Sequence, residues 1–242
     1  ADAMLSADRT FIFKTAIKDI TARQGFLASF MGKPFNDEGG SGFHLHFSVE
    51  RAGDNIMADD SGGLTSTALA MIAGILEHAP ALAALTNPTV NAYKRLGPDT
   101  LAPYRINWGL DNRSTMVRIP PERDRGTRLE VRIGDGAANP YVISAAILAA
   151  GLDGIRRGLT PPPMLEGWTY EDESADVLPM TLEVALAALA TDQVLRDMLG
   201  TTFIETFVTL KADEVRRYGE SVDDPDTRDV TAWEVEEYLL HY

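Results

Sequence analysis

The chain has 242 residues, contains no cysteine, and carries a formal net charge of −14 at pH 7. That length is sufficient for one large domain or two small ones with a sizeable hydrophobic core. The absence of cysteine excludes disulfides, thiolate metal sites and a cysteine nucleophile, and the acidic balance argues against nonspecific binding to DNA or RNA.

The hydropathy of the chain gives no indication of a membrane protein. No apolar run reaches the roughly 18 residues that a spanning helix requires. Residues 1–10 lack the basic start and apolar block of a signal peptide. We therefore expect a cytoplasmic protein that interacts with neither membranes nor nucleic acids.

The first part of the chain combines helix, strand and turn signals. Residues 6–24 predict an amphipathic helix with Ser6 as its N-cap, and residues 26–31 predict a short apolar strand. The glycine- and acid-rich residues 36–42 predict a turn. Residues 42–50 alternate between apolar and polar side chains, which predicts a half-buried strand with a polar functional face. That polar face carries His44, His46 and Ser48.

The middle and the end of the chain favour helices. Residues 64–85 predict a helix broken at Pro80, and the proline-rich residues 87–103 predict a loop. A long apolar helix is expected to open at Asn139-Pro140 and to run to about Arg157. Three surface helices are expected at residues 181–190, 202–218 and 231–240. Together with antiparallel strands, this pattern indicates an α+β fold.

A positive segment stands out in this acidic chain. Residues 112–132 carry a net charge of +3 and two short alternating runs, which predict a hairpin with a long loop. Such a cationic island suggests a site for a polyanion. The segment holds six of the seventeen arginines: Arg113, Arg118, Arg123, Arg125, Arg128 and Arg132.

Two interpretations of this hairpin are open. Period-two geometry places Arg128, Glu130 and Arg132 on one face of the second strand, where they form either a structural charge ladder or a metal-binding carboxylate between two anion clamps. The paired His44 and His46 are either surface polar residues or ligands for a divalent cation or a phosphate. Two candidate metal ligands, His44 and Glu130, are too few for a complete site.

Five motifs occur in an order that resembles the catalytic domain of glutamine synthetases. They are KPFNDEGGSGFHLHFS, NPTVNAYKRL, NRSTMVRIP, RLEVR and ANPYVISAAILAAGLDGI. The resemblance implies a curved antiparallel sheet with helices packed on it. It also implies ATP-dependent amide formation, in which the γ-carboxylate of glutamate is phosphorylated and ammonia or an amine displaces the phosphate. Mg²⁺ or Mn²⁺ would be required, and the full-length protein would form a homo-oligomeric ring.

The resemblance assigns metal and nucleotide roles by position. His44 and Glu130 match ligands of the metal that bridges the ATP phosphates. His46 and Ser48 match nucleotide-contacting positions, and Arg128 matches an arginine near the nucleotide.

It also assigns the residues at the transferred phosphate and at glutamate. Arg113 and Arg118 match arginines around the transferring phosphate and the nucleotide. Arg95 and Arg132 match arginines that hold glutamate, and Gly40 matches a glycine whose backbone contacts it. Guanidinium forks suit phosphate and carboxylate well.

Two departures from the family pattern matter. Leu101 stands where glutamine synthetases carry a glutamate that helps to bind and deprotonate ammonium, and Asp99 is out of register by two. An apolar side chain cannot supply that charge. The similar branch of γ-glutamylamine and γ-glutamylpolyamine synthetases also lacks this glutamate and has a Trp-Gly pair, which Trp108-Gly109 matches. The resemblance therefore favours an organic amine as acceptor, with ammonia as the alternative.

The second departure is length, because glutamine synthetases are roughly twice as long. We expect residues 1–242 to be the C-terminal portion of the catalytic domain, without the β-grasp domain and the first part of the catalytic domain. The alternative function is a truncated, non-catalytic member that binds nucleotide or glutamate or assembles with a complete synthetase.

Overall fold

The structure, a computed structural model, describes residues 2–98 and 100–242. The helices in this part of the chain are α1 (Ala3–Arg23), α2 (Ser66–Glu77), α3 (Ala79–Thr86), α4 (Pro140–Arg157), α5 (Leu182–Thr191), α6 (Gln193–Leu199), α7 (Thr201–Ser221) and α8 (Ala232–Tyr238). The strands are β1 (Gly42–Phe47), β2 (Glu50–Arg51), β3 (Asp54–Asn55), β4 (Trp108–Leu110), β5 (Val117–Ile119) and β6 (Leu129–Asp135).

One four-stranded sheet, in the order β1-β6-β5-β4, organises the fold. Strand β6 is fully buried and pairs antiparallel with both β1 and β5. The predicted hairpin is therefore confirmed, with Val117 opposite Val131 and Arg118 opposite Glu130. Strand β4 is the exception to the antiparallel pattern because it runs parallel to β5. The predicted α+β class is confirmed, and the small sheet β2-β3 lies apart from the main one.

Several predicted elements differ in detail from the structure. Helix α1 begins at Ala3, because the Asp2 carboxylate accepts hydrogen bonds from the backbone N–H groups of Met4 and Leu5. The assignment of Ser6 as N-cap is therefore wrong. Residues 26–31 form an irregular segment rather than a strand.

The helix predicted over residues 64–85 is indeed broken, but the break lies at His78. Pro80 lies in the first turn of α3, where its missing N–H is not needed. Helix α4 begins after Asn139 and ends at Arg157, as predicted. No local pattern indicated the short helix α6, which begins after the capping carboxylate of Asp192.

The core lies between the sheet and the central helices. Side chains of α2, α3, α4 and α5 pack with buried residues of β5 and β6 in one hydrophobic cluster. Helices α2 and α4 approach very closely at Gly74 and Gly154. A Cβ built at Gly74 would lie 2.2 Å from the backbone oxygen of Ala150, and one at Gly154 would lie 2.0 Å from that of Ala70. Two glycines are therefore required at this crossing.

No single helix in the described ranges is long and apolar enough to cross a membrane. Helices α2 and α3 meet the length and composition criteria only as a pair, and they bend by 74° between them. Most of their side chains are buried in the core cluster.

The break between α2 and α3 is stabilised by a buried ionic cluster. His78 places Nδ1 2.6 Å from Asp192 Oδ2 and Nε2 3.1 Å from Asp153 Oδ2. Both ring nitrogens face carboxylate oxygens, so both donate only when the imidazole is protonated. Burial alone would lower the pKa of His78, but its bonds to Asp192 and Asp153 outweigh burial and raise it. Through this cluster α3 is joined to α4 and to the start of α6.

We predict that Gly74→Ala lowers the free energy of unfolding by about 2 kcal/mol, because the new methyl group meets the backbone of α4. Gly219→Ala is the matched control, since Gly219 lies in helix α7 with no atom within 4 Å of a Cβ. That change should stabilise the protein by up to about 1 kcal/mol. Urea titration of both variants checks this, and an equal effect at both sites would contradict the proposed close packing.

The His78 cluster predicts a specific pH dependence of stability. Because the folded-state pKa of His78 lies above its ordinary value of 6.5, the cluster stabilises the fold fully below pH 6.5. This contribution is lost as the pH rises through the folded-state pKa. Wild type should therefore lose stability relative to His78→Gln as the pH rises above 6.5. Thermal unfolding of both proteins at a series of pH values measures this loss of stability. His241→Gln, at an exposed histidine, is the control and should keep the wild-type dependence of stability on pH.

Candidate active site

The pairing of β1 with β6 builds one polar surface. Phe43, Leu45 and Phe47 are half-buried, whereas His44 and His46 are exposed on the opposite face, as the alternation predicted. The strand ends at Phe47, so the last part of the predicted strand lies outside it, and Ser48 is exposed just beyond. His46 lies opposite Glu130 in the antiparallel register. Imidazoles and carboxylate therefore meet on one side of the sheet.

Glu130 is the centre of this surface. Its side chain is 3% exposed and lies between two guanidinium groups, 2.6 Å from Arg118 Nη1 and 2.7 Å from Arg132 Nη1. His44 Nδ1 is 3.1 Å and His46 Nε2 is 3.7 Å from Glu130 Oε1. Burial opposes ionisation of Glu130, but the bonds from His44 and Arg118 and the charge of Arg132 hold its pKa well below the usual range. The carboxylate is ionised at neutral pH.

His46 and Arg128 continue the surface away from the cavity. Arg128 Nε donates to His46 Nδ1 at 3.2 Å, and Arg128 Nη1 is 3.0 Å from Glu122. A donor on Nδ1 places the ring proton on Nε2, towards Glu130. Burial lowers the pKa of His46, assisted by the charge of Arg128 and opposed by Glu130. His46 is therefore a neutral imidazole at neutral pH.

A cavity of about 820 Å³ opens at the other end of the surface. Several predicted site residues line it: Gly40, His44, Arg95, Arg113 and Arg132. Arg113 is exposed there and has no hydrogen bond or ion pair to any other residue in the described ranges. The Nε atoms of Arg95 and Arg132 are buried and have no hydrogen-bond partner within those ranges. The cavity therefore presents the unpaired cation of Arg113 to an anion, beside the guanidinium groups of Arg95 and Arg132.

Arg95 is held rigidly at the cavity wall. It is almost completely buried, and its Nη2 donates to the carbonyl oxygens of Ile133 and Gly134 at 3.0 and 2.8 Å. A Cβ at Gly40 would lie 2.5 Å from Arg95 Cγ, so the glycine-rich loop lies directly on the arginine stem. Asp135 Oδ2 is 4.0 Å from Arg95 Nε. Burial raises the pKa of Asp135 to about 6, although Arg95 opposes this.

The predicted site residues thus form three groups along strands β1 and β6. Residues assigned to glutamate (Gly40, Arg95, Arg132) lie at the cavity, and those assigned to the nucleotide (His46, Ser48, Arg128) lie at or beyond the opposite end of β1. The pair assigned to metal, His44 and Glu130, lies between them. Arg118 faces Glu130 and the exposed Asp111, whereas Arg113 faces the cavity.

The donor set fits part of a divalent cation site. Among residues 2–98 and 100–242, no three His, Cys, Asp or Glu side chains converge as a metal centre. An imidazole and an ionised carboxylate 3.1 Å apart can nevertheless supply two ligands. Mg²⁺ is commonly bound by one or two carboxylates with water and substrate phosphate oxygens completing its shell. His44 and Glu130 are compatible with that arrangement.

The structure also shows site residues that the sequence did not indicate. Trp168 and Tyr170 line the cavity from a distant segment. The Tyr170 ring stacks on Tyr104 at 5.9 Å, and its hydroxyl donates to the carbonyl of Thr100. This contact fixes the segment that carries Leu101. No local pattern links these positions, so only the fold could reveal them.

Two further residues near the cavity differ in their surroundings. Lys94 is buried, and its Nζ pairs with the carboxylate of Glu234. Leu101 is 91% exposed at the cavity rim, and the neighbouring Asp99 lies outside the described residues.

Comparison with known proteins identifies the family. The family model described as glutamine synthetase, catalytic domain, matches residues 1–238. Glutamine synthetase from Thermococcus kodakarensis is 43% identical over 249 residues, covering 98% of this chain and 56% of that protein. Glutamine synthetase from Thermus thermophilus is 41% identical over 251 residues, covering all of this chain and 54% of that protein. The chain spans about half the length of the curated relatives it matches.

Solved structures agree with the sequence matches. A structure described as GmaS without ligand superposes with a TM-score of 0.84 at 42% identity, covering 98% of this chain and 53% of that one. A complex of GmaS with ADP gives a TM-score of 0.85 at the same identity, covering 98% and 55%. By sequence and by fold, the chain belongs to the glutamine synthetase family and corresponds to its catalytic domain.

Proposed function

We propose that this chain carries much of the active site of an ATP-dependent ligase that joins glutamate to ammonia or an organic amine. The observation that supports this most directly is the order of side chains along the β1–β6 surface. Cationic donors line a cavity at one end, a His–Glu pair lies in the middle, and His46 with Arg128 lies at the other end. Transfer of a phosphoryl group from ATP to glutamate requires a site for glutamate and a site for the nucleotide with a metal between them, and this order of side chains fits that requirement.

Glutamate would occupy the 820 Å³ cavity. Its carboxylates would pair with Arg95 and Arg132, whose side chains line the cavity. The backbone of Gly40 can approach the substrate closely because the loop has no side chain there. Bidentate guanidinium contacts would fix the orientation of the γ-carboxylate.

Phosphoryl transfer relies on positioning and on cations around the moving group. Arg113, which has no partner within the described ranges, is free to contact the transferring phosphate. His44 and Glu130 would hold Mg²⁺ or Mn²⁺, which neutralises phosphate charge. Glu130 now pairs with Arg118 and Arg132, so its binding to a cation would release both guanidinium groups to substrate anions.

The acceptor that we propose is an organic amine, with ammonia as the alternative. Leu101 at the cavity rim carries no charge with which to bind or deprotonate ammonium. Trp108-Gly109 and the likeness to the GmaS structures fit the γ-glutamylamine synthetase branch. The relatives named glutamine synthetase support ammonia.

The remaining ligands and the assembly are also part of the proposal. Two protein ligands do not complete a metal site, so further carboxylates would come from other regions of the full-length protein or from neighbouring subunits of a homo-oligomeric ring. Apolar side chains exposed on α1, including Phe11, Ile12 and Phe13, would be covered in such an assembly.

We predict that the natural polypeptide carrying this chain releases phosphate from ATP only when Mg²⁺ or Mn²⁺, glutamate and an acceptor are all present. Arg113→Ala should lower kcat by about a hundredfold, because a cation at the transferring phosphate is lost, while the Tm stays the same. Arg156→Ala, at an exposed arginine of α4, should leave both unchanged. The measurement is a phosphate-release assay with ammonia, methylamine, ethanolamine and putrescine.

The absence of acceptor-dependent phosphate release with all four amines would contradict the ligase proposal. Calorimetry then separates the alternatives, because binding of nucleotide or glutamate without turnover would favour a non-catalytic family member.

We also predict that Leu101→Glu shifts the acceptor preference towards ammonia by about tenfold in the ratio of kcat/KM values, because a carboxylate at the rim attracts ammonium. The exposed position tolerates the change without loss of stability. Val177→Glu, at another exposed apolar position away from the cavity lining, is the control. An unchanged ratio in Leu101→Glu would show that this position does not select the acceptor.

A further inference from the structure

Glu234 is a fully buried carboxylate on α8, outside the β1–β6 surface. Its Oε2 accepts hydrogen bonds from Lys94 Nζ at 2.5 Å and from the backbone N–H and hydroxyl of Thr231, both at 2.8 Å. Its Oε1 accepts from Asn91 Nδ2 at 2.9 Å. A buried charge is tolerated only when it is paired and hydrogen-bonded in this way.

Two of these partners belong to the turn that carries Arg95. Asn91 and Lys94 lie in the 3₁₀ helix Asn91–Arg95. Glu234 therefore fixes this turn from outside the cavity while Arg95 faces into it. Arg228 adds to the same contact, because its guanidinium donates to the carbonyl oxygens of Tyr93, Lys94 and Leu96.

Asn91 extends the connection to the glycine-rich loop. Its Oδ1 accepts from the backbone N–H of Lys33 at 2.7 Å, and its Nδ2 donates to the carbonyl of Lys33 at 2.8 Å. The loop is closed at its base by the bond from Ser41 N–H to the Gly32 carbonyl at 2.7 Å. Near its tip, Asn36 Oδ1 accepts from the backbone N–H of Val230 at 2.6 Å. The segment around α8 thus contacts the loop directly at Asn36 and reaches Lys33 through Asn91.

The turn and the loop meet inside the cavity, where Gly40 lies on the stem of Arg95. We propose that Glu234 is a positioning residue for glutamate, because it fixes the relative placement of the turn with Arg95 and the loop with Gly40. Glu234 does not line the cavity and acts through Asn91 and Lys94. This inference rests on the proposed function, in which Arg95 and Gly40 hold glutamate.

The test is a comparison of steady-state kinetics of Glu234→Gln and Glu237→Gln in the natural polypeptide. Glu237 lies on the same helix, but it is partly exposed and pairs with the surface Arg217, at 2.8 Å. Glu234→Gln should raise KM for glutamate about tenfold, because small displacements of binding groups are costly. The KM for ATP should stay within about twofold of wild type, and Glu237→Gln should match wild type in both constants.

An unchanged KM for glutamate, or equal rises in both KM values, overturns the positioning role, since general loosening of the structure would affect both substrates. If Glu234→Gln does not fold, Thr231→Val provides the second test, because it removes the hydroxyl that donates to Glu234 Oε2 and lies at a position that does not line the cavity. It should also raise KM for glutamate selectively, and an unchanged value overturns the inference.

Failure of the positioning role can be distinguished from failure of the proposed function. A wild-type protein that binds no glutamate in calorimetry overturns the proposed function and the positioning role with it. A wild-type protein that binds glutamate, with Glu234→Gln binding equally well, overturns only the positioning role.

Discussion

The antiparallel pairing of β1 with β6 is the constraint on which the site depends. In that register His46 lies opposite Glu130, and His44 comes within 3.1 Å of the same carboxylate. Because side chains alternate across a strand, a slip of one residue would turn both imidazoles into the core and the apolar residues into the cavity. The half-buried Phe43, Leu45 and Phe47 therefore fix the register that the polar residues need.

At this surface the charged side chains pair with one another, and the arginines of these pairs are the groups that substrate anions would contact. The Glu130 carboxylate pairs with Arg118 and Arg132, so its buried charge is compensated. Those arginines are also the groups that the proposed chemistry would direct to substrate anions. The low pKa of Glu130 keeps it available as an anionic ligand at neutral pH. The same ion pairs thus stabilise the fold and preform the site.

The helices hold this surface through contacts remote from it. The Gly74–Gly154 crossing brings α2 onto α4, and the His78 cluster joins α3 to α4 and α6. On the other side, α8 inserts Glu234 beneath the turn that carries Arg95. Each of these contacts joins segments distant in the sequence, so each fixes a placement that no single element could adopt alone.

Much of this protein could be predicted from local pattern. Alternation over residues 42–47 and the two short runs of the hairpin fixed the strands and the faces of His44, His46 and Glu130, because strand geometry has a period of two. Asn139-Pro140 marked the start of α4, since the cap and the proline each act within one turn. The ordered motifs indicated the family, which the comparisons confirm.

Other features depended on tertiary structure. The sequence could not show that Lys94 is buried against Glu234 or that Tyr170 holds the carbonyl of Thr100, because those partners are 140 and 70 residues apart. It misplaced the start of α1, where Asp2 competed with Ser6 for the cap. Local propensity determined the strands, the helices and the residue types of the site. Long-range packing decided which charges meet, because burial and pairing are properties of the assembled fold.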